Sequence, residues 1–587
     1  MHLMVSIPGA HVDEDGTRFV VFSTRARDVR VRVTGGDRVD EHPLDDRGDG
    51  FFEVHVPGVR VGALYTFVLD GEPTPDPWAR ELPFGVHRDA RVVAPVTIPP
   101  LATPPPAHRW VIYELHVGTF TPEGTYRAAI AKLDHLVSLG VTAIELMPLA
   151  AFDGKRGWGY DGVAFFAPYS TYGTPDDLRA FVGAAHDRGL AVILDVVYNH
   201  FGPSGNYLAR YAPEYFSEAV STPWGPAPDF AHPPMRTLVL ENVRMWLAEY
   251  GFDGLRLDAT HAIHDAPGPG EGRHEHVLAA ITRLAHDMTP RRRIFFEDDR
   301  NEPAMVSERN ADAIWTDDLH HQIHVLLTGE RDGYYAAYEP TLEALANAIR
   351  RGFTYEGQMY GPWKKPRGRP NTLPPSALVV ALQNHDQTGN RALGDRLHHL
   401  VALDACKAAA MLVLFLPTTP LLLMGEEWAA STPFLFFSDH EGDLGRSISK
   451  GRREEMKAFA AFSDSGSDIP DPQAASTFER STLRWEEIVE QPHASVLALY
   501  RAMLALRRDD PVLSEGATFE DLEVRVVGEV LDVARGARRL LINFGDGAAP
   551  VPTHPRSALE RTLLATSPFG GATLAPKQAV ILGGSGG

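Results

Sequence analysis

Arg256 and Asp258 stand two residues apart in GFDGLRLDATH, residues 251–261. If that segment is a β-strand, its period of two places both side chains on one face. A guanidinium beside a carboxylate favours the ionised acid, and an ionised, oriented carboxylate at a strand end is what a glycosidase uses as nucleophile. An isolated Arg-x-Asp is more often a half-buried structural ion pair, because such pairs perturb titration without any function. Three further segments change that balance: Asp195, Asn199 and His200 in DVVYNH; Glu297, Asp298 and Asp299 in FFEDD; and Asn384, His385 and Asp386 in QNHDQTGN. Each alone is as readily turn chemistry as function, since Asp and Asn are common just after strands. Four apolar runs ending in such groups read as one site.

The residue types suggest roles. Asp258, kept charged by Arg256, is the candidate nucleophile. Glu297 follows two aromatics and is flanked by two acids, an environment expected to raise its pKa toward that of a general acid. Asp386 is a third carboxylate, able to bind sugar hydroxyls and to stabilise positive charge developing on the ring. The pairing predicts a retaining mechanism, with the carboxyls of Asp258 and Glu297 roughly 5 to 5.5 Å apart, against roughly 6.5 Å or more for inversion. Trp158 and Tyr160, in RGWGYDG, are sugar-stacking rings or loop packing, and both readings stay open. His320 and His324, in DDLHHQIH, are one helical turn apart, but HHxxxH lacks the base of an HExxH site; no metal and no cofactor are assigned. Lys364, Lys365, Arg367 and Arg369 read as a solvated basic loop.

The elements that must position these groups form an α/β pattern. From Trp110 onward, WVIYELHVG, VTAIELMP, LAVILDVVYNH, FDGLRLD, RIFFEDD, AIWTDD, SALVVALQNHD and PLLLMGEEW read as eight strands. Helical segments separate most of them: TYRAAIAKLDHLVSLG, TPDDLRAFVGAAHDRG with Thr174 as cap, MRTLVLENVRMWLAEYG and HEHVLAAITRLAHDMT. Near-continuous apolar strands alternating with helices indicate a parallel sheet covered on both faces. Eight of them favour a closed (β/α)8 barrel over an open sheet, with functional residues at the C-terminal strand ends. The barrel is assigned to residues 106–510, with a Pro-, Gly- and aromatic-rich insert, 201–234, standing over the catalytic face. Short alternating strands before it suggest an N-terminal β-sandwich, 1–105, closed by the Pro-rich TIPPLATPPPAHR. After Asp510 the segments TFEDLEVRVVG, VLDVARG, RRLLINFGDG and QAVILGG suggest a C-terminal β-domain, 511–587, ending in a flexible GGSGG tail.

Composition narrows the partners. A net charge of −21 over 587 residues argues against nucleic acid and anionic membrane, which both need clustered Lys and Arg. The single cysteine, Cys406, excludes an intrachain disulfide framework, and MHLMVSIPGAHVDEDG lacks the basic and apolar regions of a signal peptide, so a cytoplasmic location is expected. The longest apolar run, 408–424, is interrupted by Pro417 and Pro420 and reads as a buried helix followed by a buried strand.

In their order DVVYNH, GLRLD, FFED and NHD, the four strand ends resemble the α-amylase superfamily of glycoside hydrolases, and the resemblance covers nearly the whole chain. It implies Asp258 as nucleophile, Glu297 as acid/base and Asp386 as transition-state stabiliser, with Asp195, His200, Arg256, His385 and Tyr160 lining the −1 sugar site. Some relatives place calcium near an asparagine like Asn199, but no ligand set accompanies it here. Many amylases carry Lys-His shortly after the nucleophile, where this chain has His261 and Ala262; the leaving group is therefore expected to be recognised differently. EDDRNEP, WTDDLHHQIHVLLTGERDGYY and QNHDQTGNRALGDRL are similar to a branch that cleaves the α-1,4 bond next to a terminal trehalose unit. That implies maltooligosyl trehalose or a related α-glucan as substrate, with His261, Asp299, Asp318, His321 and Gln387 on the leaving-group side. The alternatives are a glycogen branching enzyme, whose usual Glu after His-Asp is Gln387 here; a non-catalytic glucan-binding protein, against which all three carboxylates count; and a plain α-amylase.

Overall fold

Eight short apolar strands pair in parallel and close on themselves: Ile112–Leu115 (β1), Ala143–Leu146 (β2), Ala191–Val196 (β3), Gly254–Leu257 (β4), Arg293–Glu297 (β5), Ala313–Trp315 (β6), Leu378–Ala381 (β7) and Thr419–Leu423 (β8). The computed structural model describes residues 7–35, 38–222, 224–265, 275–457, 469–553 and 561–583. Most of the GGSGG tail and the first six residues lie outside them.

Register explains what fills the barrel. Ile112 pairs with Ala143, and Ala143 with Ala191, so alternate residues of neighbouring strands point inward together. With Ile193, Phe295, Ala313, Trp315, Val379, Ala381 and Leu421 they form one interior cluster. Leu101 and Trp110 belong to the same cluster and plug its N-terminal mouth. The Pro-rich segment is thus a strap: the Leu101 amide donates to Asp253 Oδ1 (3.1 Å) and Trp110 Nε1 to the Pro105 carbonyl (2.8 Å).

Pro175–His186 (α1) starts on Thr174, whose hydroxyl accepts from the Asp177 amide while Asp177 reaches back, a capping box that satisfies two orphan donors. The single helix expected over TYRAAIAKLDHLVSLG is two, Tyr126–Ile130 and Leu133–Leu139, the second stopped by Gly140 at φ 100°. Asp318–Thr328 (α2) follows β6, and Leu403–Phe415 (α3) leads into β8, the helix and strand expected of the long apolar run.

The N-terminal strands form two antiparallel sheets around their own core. The insert after β3 carries the helix Leu208–Tyr211 and the hairpin Phe216–Thr222 with Gly225–Pro228. It also bridges domains, because Tyr211 is buried in the N-terminal core and donates to the Thr74 carbonyl at 3.0 Å. A five-stranded antiparallel sheet built from Leu522–Val527, Val530–Arg535, Arg538–Asn543, Arg561–Ala565 and Ala579–Gly583 follows the last helix, His493–Asp509. Among the described residues no helix is long and apolar enough to cross a membrane.

Candidate active site

At the C-terminal end of β4, Arg256 is wholly buried and serves three carboxylates. Its Nη1 donates to Asp195 Oδ2 (2.7 Å) and Asp258 Oδ1 (3.0 Å), and its Nη2 donates to Glu297 Oε2 (2.8 Å). Strand geometry sets this up: Asp195 on β3 is in register with Arg256, and Glu297 ends the strand on the other side. The guanidinium lies 4.5 Å over the Trp315 ring, which closes the floor beneath it. Burial opposes its charge, but Asp195 and Glu297 outweigh that cost and hold Arg256 protonated.

Asp258 has a second fixed partner, Asn199 Nδ2, 2.9 Å from its Oδ2. The next residue, Ala259, takes φ 40° and ψ 54°, a left-handed conformation rare for an L side chain, and its amide donates to Glu297 Oε2 at 2.8 Å. The strained turn therefore ties the two candidate catalytic carboxyls together. Glu297 was expected among acids; Asp299 and Asp317 do feel its charge, and the structure adds Arg256 and a backbone amide as its hydrogen-bond donors. Asp298 is turned away, accepting from Arg300 and from the Thr260 hydroxyl at 3.1 Å.

Asp386 sits in the turn His385–Gly389, capped by Asn384, and accepts from Asn390 Nδ2 at 3.1 Å. Its neighbour His385 is buried between Glu114, which takes both its amide (2.8 Å) and its Nδ1, and the Tyr160 hydroxyl, 2.8 Å from Nε2. Burial disfavours a charged ring, but Asp386 and Glu114 outweigh it and push His385 up to about 10. Tyr160 donates onward to Asp195. Burial pushes Asp195 up to about 7, with Arg256 pulling the other way.

Two aromatic side chains named from the sequence, His200 and Trp158, are engaged by protein partners. His200 spends both ring nitrogens on the protein, Nδ1 on Asn199 Oδ1 (2.8 Å) and Nε2 on the Tyr160 carbonyl (2.9 Å), and stacks on Trp224. It holds Asn199 and Tyr160 in place. Trp158 donates to the Leu435 carbonyl and stacks on Phe434, so its role is packing, edge-on behind His385.

Glu297 and Asp386 line a cleft of about 960 Å³, whose walls also include His261, Asp299, His321, Trp363 and Gln387. His261 Nδ1 and Asp299 Oδ1 are 3.3 Å apart but not aligned to bond. Among the described residues these two atoms, both nitrogens of His321 and Gln387 Oε1 are buried without a protein hydrogen-bond partner. Burial, reinforced by Arg367, pushes His321 down to about 3, so its ring is neutral and offers one donor and one acceptor.

Asp318 is a correction. It is fully buried, and its carboxylate is used up by Asn301 Nδ2 (2.7 Å), the Tyr338 hydroxyl (2.6 Å), the Thr354 amide (2.6 Å) and Arg367 Nη1 (3.0 Å). Burial opposes that charge, but Arg367 and these donors hold the carboxyl below its usual range. It braces the cleft wall from behind. Arg367 is the matching correction: Lys364, Lys365 and Arg369 are exposed as expected of a basic loop, whereas Arg367 is buried against the rings of Tyr360 and Trp363.

Asp317, absent from the sequence-derived set, faces the cleft in place of Asp318. The signal was there, since Asp317 has the parity of inward-facing Trp315 and Asp318 does not. It accepts from Gln387 Nε2 at 3.1 Å, and burial together with Glu297 pushes it up to about 7. His320 and His324 bond to the Leu382 carbonyl and to Glu330. Among the described residues no cluster of three or more His, Cys, Asp and Glu side chains is arranged to hold a metal ion.

Comparison with known proteins places this geometry. Residues 114–224 match the family described as alpha amylase, catalytic domain; residues 8–79 match carbohydrate-binding module 48 (isoamylase N-terminal domain); and residues 518–582 match a domain of unknown function, DUF3459. A crystal structure of a putative alpha amylase from Salmonella typhimurium superimposes with a TM-score of 0.89 at 38% identity, covering 98% of this chain and 99% of that one. A protein of Arthrobacter ramosus named malto-oligosyltrehalose trehalohydrolase is 40% identical, covering 92% of this chain and 94% of its own length. Its namesake from Deinococcus radiodurans is 50% identical over 584 residues, 97% of this chain and 94% of that one. On that identity over nearly full length, joined to an alpha-amylase barrel with its carbohydrate-binding module, the chain belongs to the malto-oligosyltrehalose trehalohydrolase family of glycosidases.

Proposed function

We propose that the chain is a retaining glycoside hydrolase that cleaves the α-1,4-glucosidic bond next to the terminal trehalose unit of maltooligosyl trehalose and releases trehalose. The observation that carries this reading is the sharing of Arg256 by Asp258 and Glu297, with Asp386 on the same cleft. Two carboxyls within hydrogen-bond reach of one guanidinium stand on the same small floor, which suits a double displacement with carboxyls roughly 5 to 5.5 Å apart. Asp258 attacks the anomeric carbon while Glu297 gives its proton to the glycosidic oxygen, and trehalose leaves. Glu297, now a base, takes a proton from water, whose oxygen displaces Asp258 and frees the shortened glucan. Asp386 lends negative charge to the ring while the anomeric carbon is most positive. On the leaving-group side, His261, Asp299, His321 and Gln387 present polar atoms that have no protein hydrogen-bond partner among the described residues, which suits a polyhydroxylated leaving group such as trehalose. The lone thiol, Cys406, fits a reducing, cytoplasmic setting for the reaction.

Incubation with maltotriosyltrehalose and, separately, with maltopentaose tests the reading. Preferential release of trehalose from the first is expected. New branch points without trehalose would replace it with a branching activity, equal cleavage of both substrates with a plain amylase, and unchanged sugars with a non-catalytic glucan-binding protein.

A further inference from the structure

Between the apolar cluster of the barrel interior and the floor of the site lies a charged layer. Register sets Glu114 of β1 opposite Glu145 of β2, and Asp195 of β3 opposite Arg256 of β4. Trp315 of β6 turns inward beside them. Glu145 is 1% exposed, yet among the described residues neither of its carboxyl oxygens has a protein hydrogen-bond partner. The same is true of Asp195 Oδ1, Arg256 Nε and Trp315 Nε1. Three carboxyl oxygens and two N–H donors thus face one layer of the interior. Leaving such a group unsatisfied costs about 1–3 kcal/mol, and a buried water relieves this by making about three hydrogen bonds at once. The layer has the composition of a small internal water site.

Charge decides the state of Glu145. The groups that face it are Glu114 from β1, Asp195 from β3, Arg256 from β4 and His385 from the turn after β7. Both cations are committed: His385 pairs with Glu114, and Arg256 with Asp195, Asp258 and Glu297. Burial, reinforced by the charge of Glu114, holds the Glu145 carboxyl well above its usual range.

We infer that Glu145 is a positioning residue for the catalytic floor: a neutral carboxylic acid that donates through internal water to Asp195 Oδ1 and accepts, through the same water, from Arg256 Nε. Its effect is to fix the tilt of the guanidinium that holds Asp258 and Glu297. This rests on the reading of those two carboxyls as the catalytic pair.

Glu145→Leu and Glu145→Gln test it. Leucine removes the polar group at similar size and is expected to lower kcat by about 10- to 100-fold, the scale of a displaced catalytic group, with little change in KM and a displaced pH profile. Glutamine keeps a neutral donor and acceptor and is expected to rescue both kcat and pH profile. A wild-type-minus-Gln infrared difference spectrum of the full-length protein at neutral pH should contain one protonated-carboxyl stretch, while the bands of Asp317 and Glu426, pushed up to about 7 and about 8, cancel; a difference spectrum without that stretch overturns the proposal. A Gln variant as impaired as the Leu variant would mean that the ionised acid is needed and overturns the proposal, as does a Leu variant with wild-type kcat and pH profile. If the Leu variant does not fold, the Gln kinetics and the infrared band still decide. The band does not depend on substrate, so a wild type that releases no trehalose rejects the proposed reaction separately.

Discussion

Arg367 and Asp318, 49 residues apart in sequence, form a buried ion pair at 3.0 Å with side chains only 3% and 0% exposed. The pair fastens the loop that carries Trp363 to the start of α2, the helix that carries His321, and so braces the cleft wall that both residues line. Removing one partner strands the other charge in the interior. Arg367→Met should therefore destabilise the protein by about 3–5 kcal/mol, read as a lower urea midpoint. The double variant with Asp318→Leu should recover part of that loss, because an apolar pair leaves no buried charge. Additive losses in the double variant would show that the two side chains do not act as a pair.

His321 has two buried ring nitrogens without a hydrogen-bond partner among the described residues and a ring that is neutral at working pH. If a trehalose hydroxyl is their partner, His321→Ala should lower kcat/KM on maltotriosyltrehalose by about 5- to 150-fold, the equivalent of about 1–3 kcal/mol for a lost buried hydrogen bond. Hydrolysis of maltopentaose should change far less. An equal fall on both substrates would take His321 out of leaving-group recognition.

Glu297→Gln keeps a side chain for the Ala259 amide to bond but cannot give up a proton. kcat on maltooligosyl trehalose should fall by about 10²- to 10⁴-fold. An aryl glycoside whose phenol departs without protonation should lose much less in its first step, seen as a burst of phenol. Equal loss with both leaving groups would remove Glu297 from the acid role.

His385 makes stability depend on pH. Its folded pKa, pushed up to about 10, lies above the unfolded value of about 6.5, so the folded state binds the extra proton between those limits. The stabilisation is complete below about pH 6.5 and is lost as pH rises toward 10, with a slope of up to about 1.4 kcal/mol per pH unit. Urea unfolding at a series of pH values from 6 to 10 should show this decline in the wild type and a flatter curve in His385→Asn. Parallel curves would mean that the ring is not held protonated by Glu114 and Asp386.

Much of this was legible in the chain. The alternation that marks β3, β4, β5 and β7 is local, and their polar ends follow directly, because period-two geometry and the closure of a parallel sheet bring those ends to one mouth. Less legible was direction within a strand end. In WTDD the resemblance implies Asp318, whereas the inward parity of Trp315 points to Asp317, which lines the cleft. Trp158 could not be told from a sugar platform, because whether a ring faces solvent or Phe434 depends on a segment some 280 residues away.

By itself, then, the sequence determined the barrel strands and the polar groups at their ends, Asp258, Glu297 and Asp386 among them, since each is written in short-range periodicity and residue type. Only the tertiary structure decided that Arg256 serves three acids, that Glu297 meets a guanidinium and an amide, and that Arg367 is buried on Asp318. The reason is physical: burial and pairing of long charged side chains are set by what packs over them, and those partners come from elements far apart in the chain.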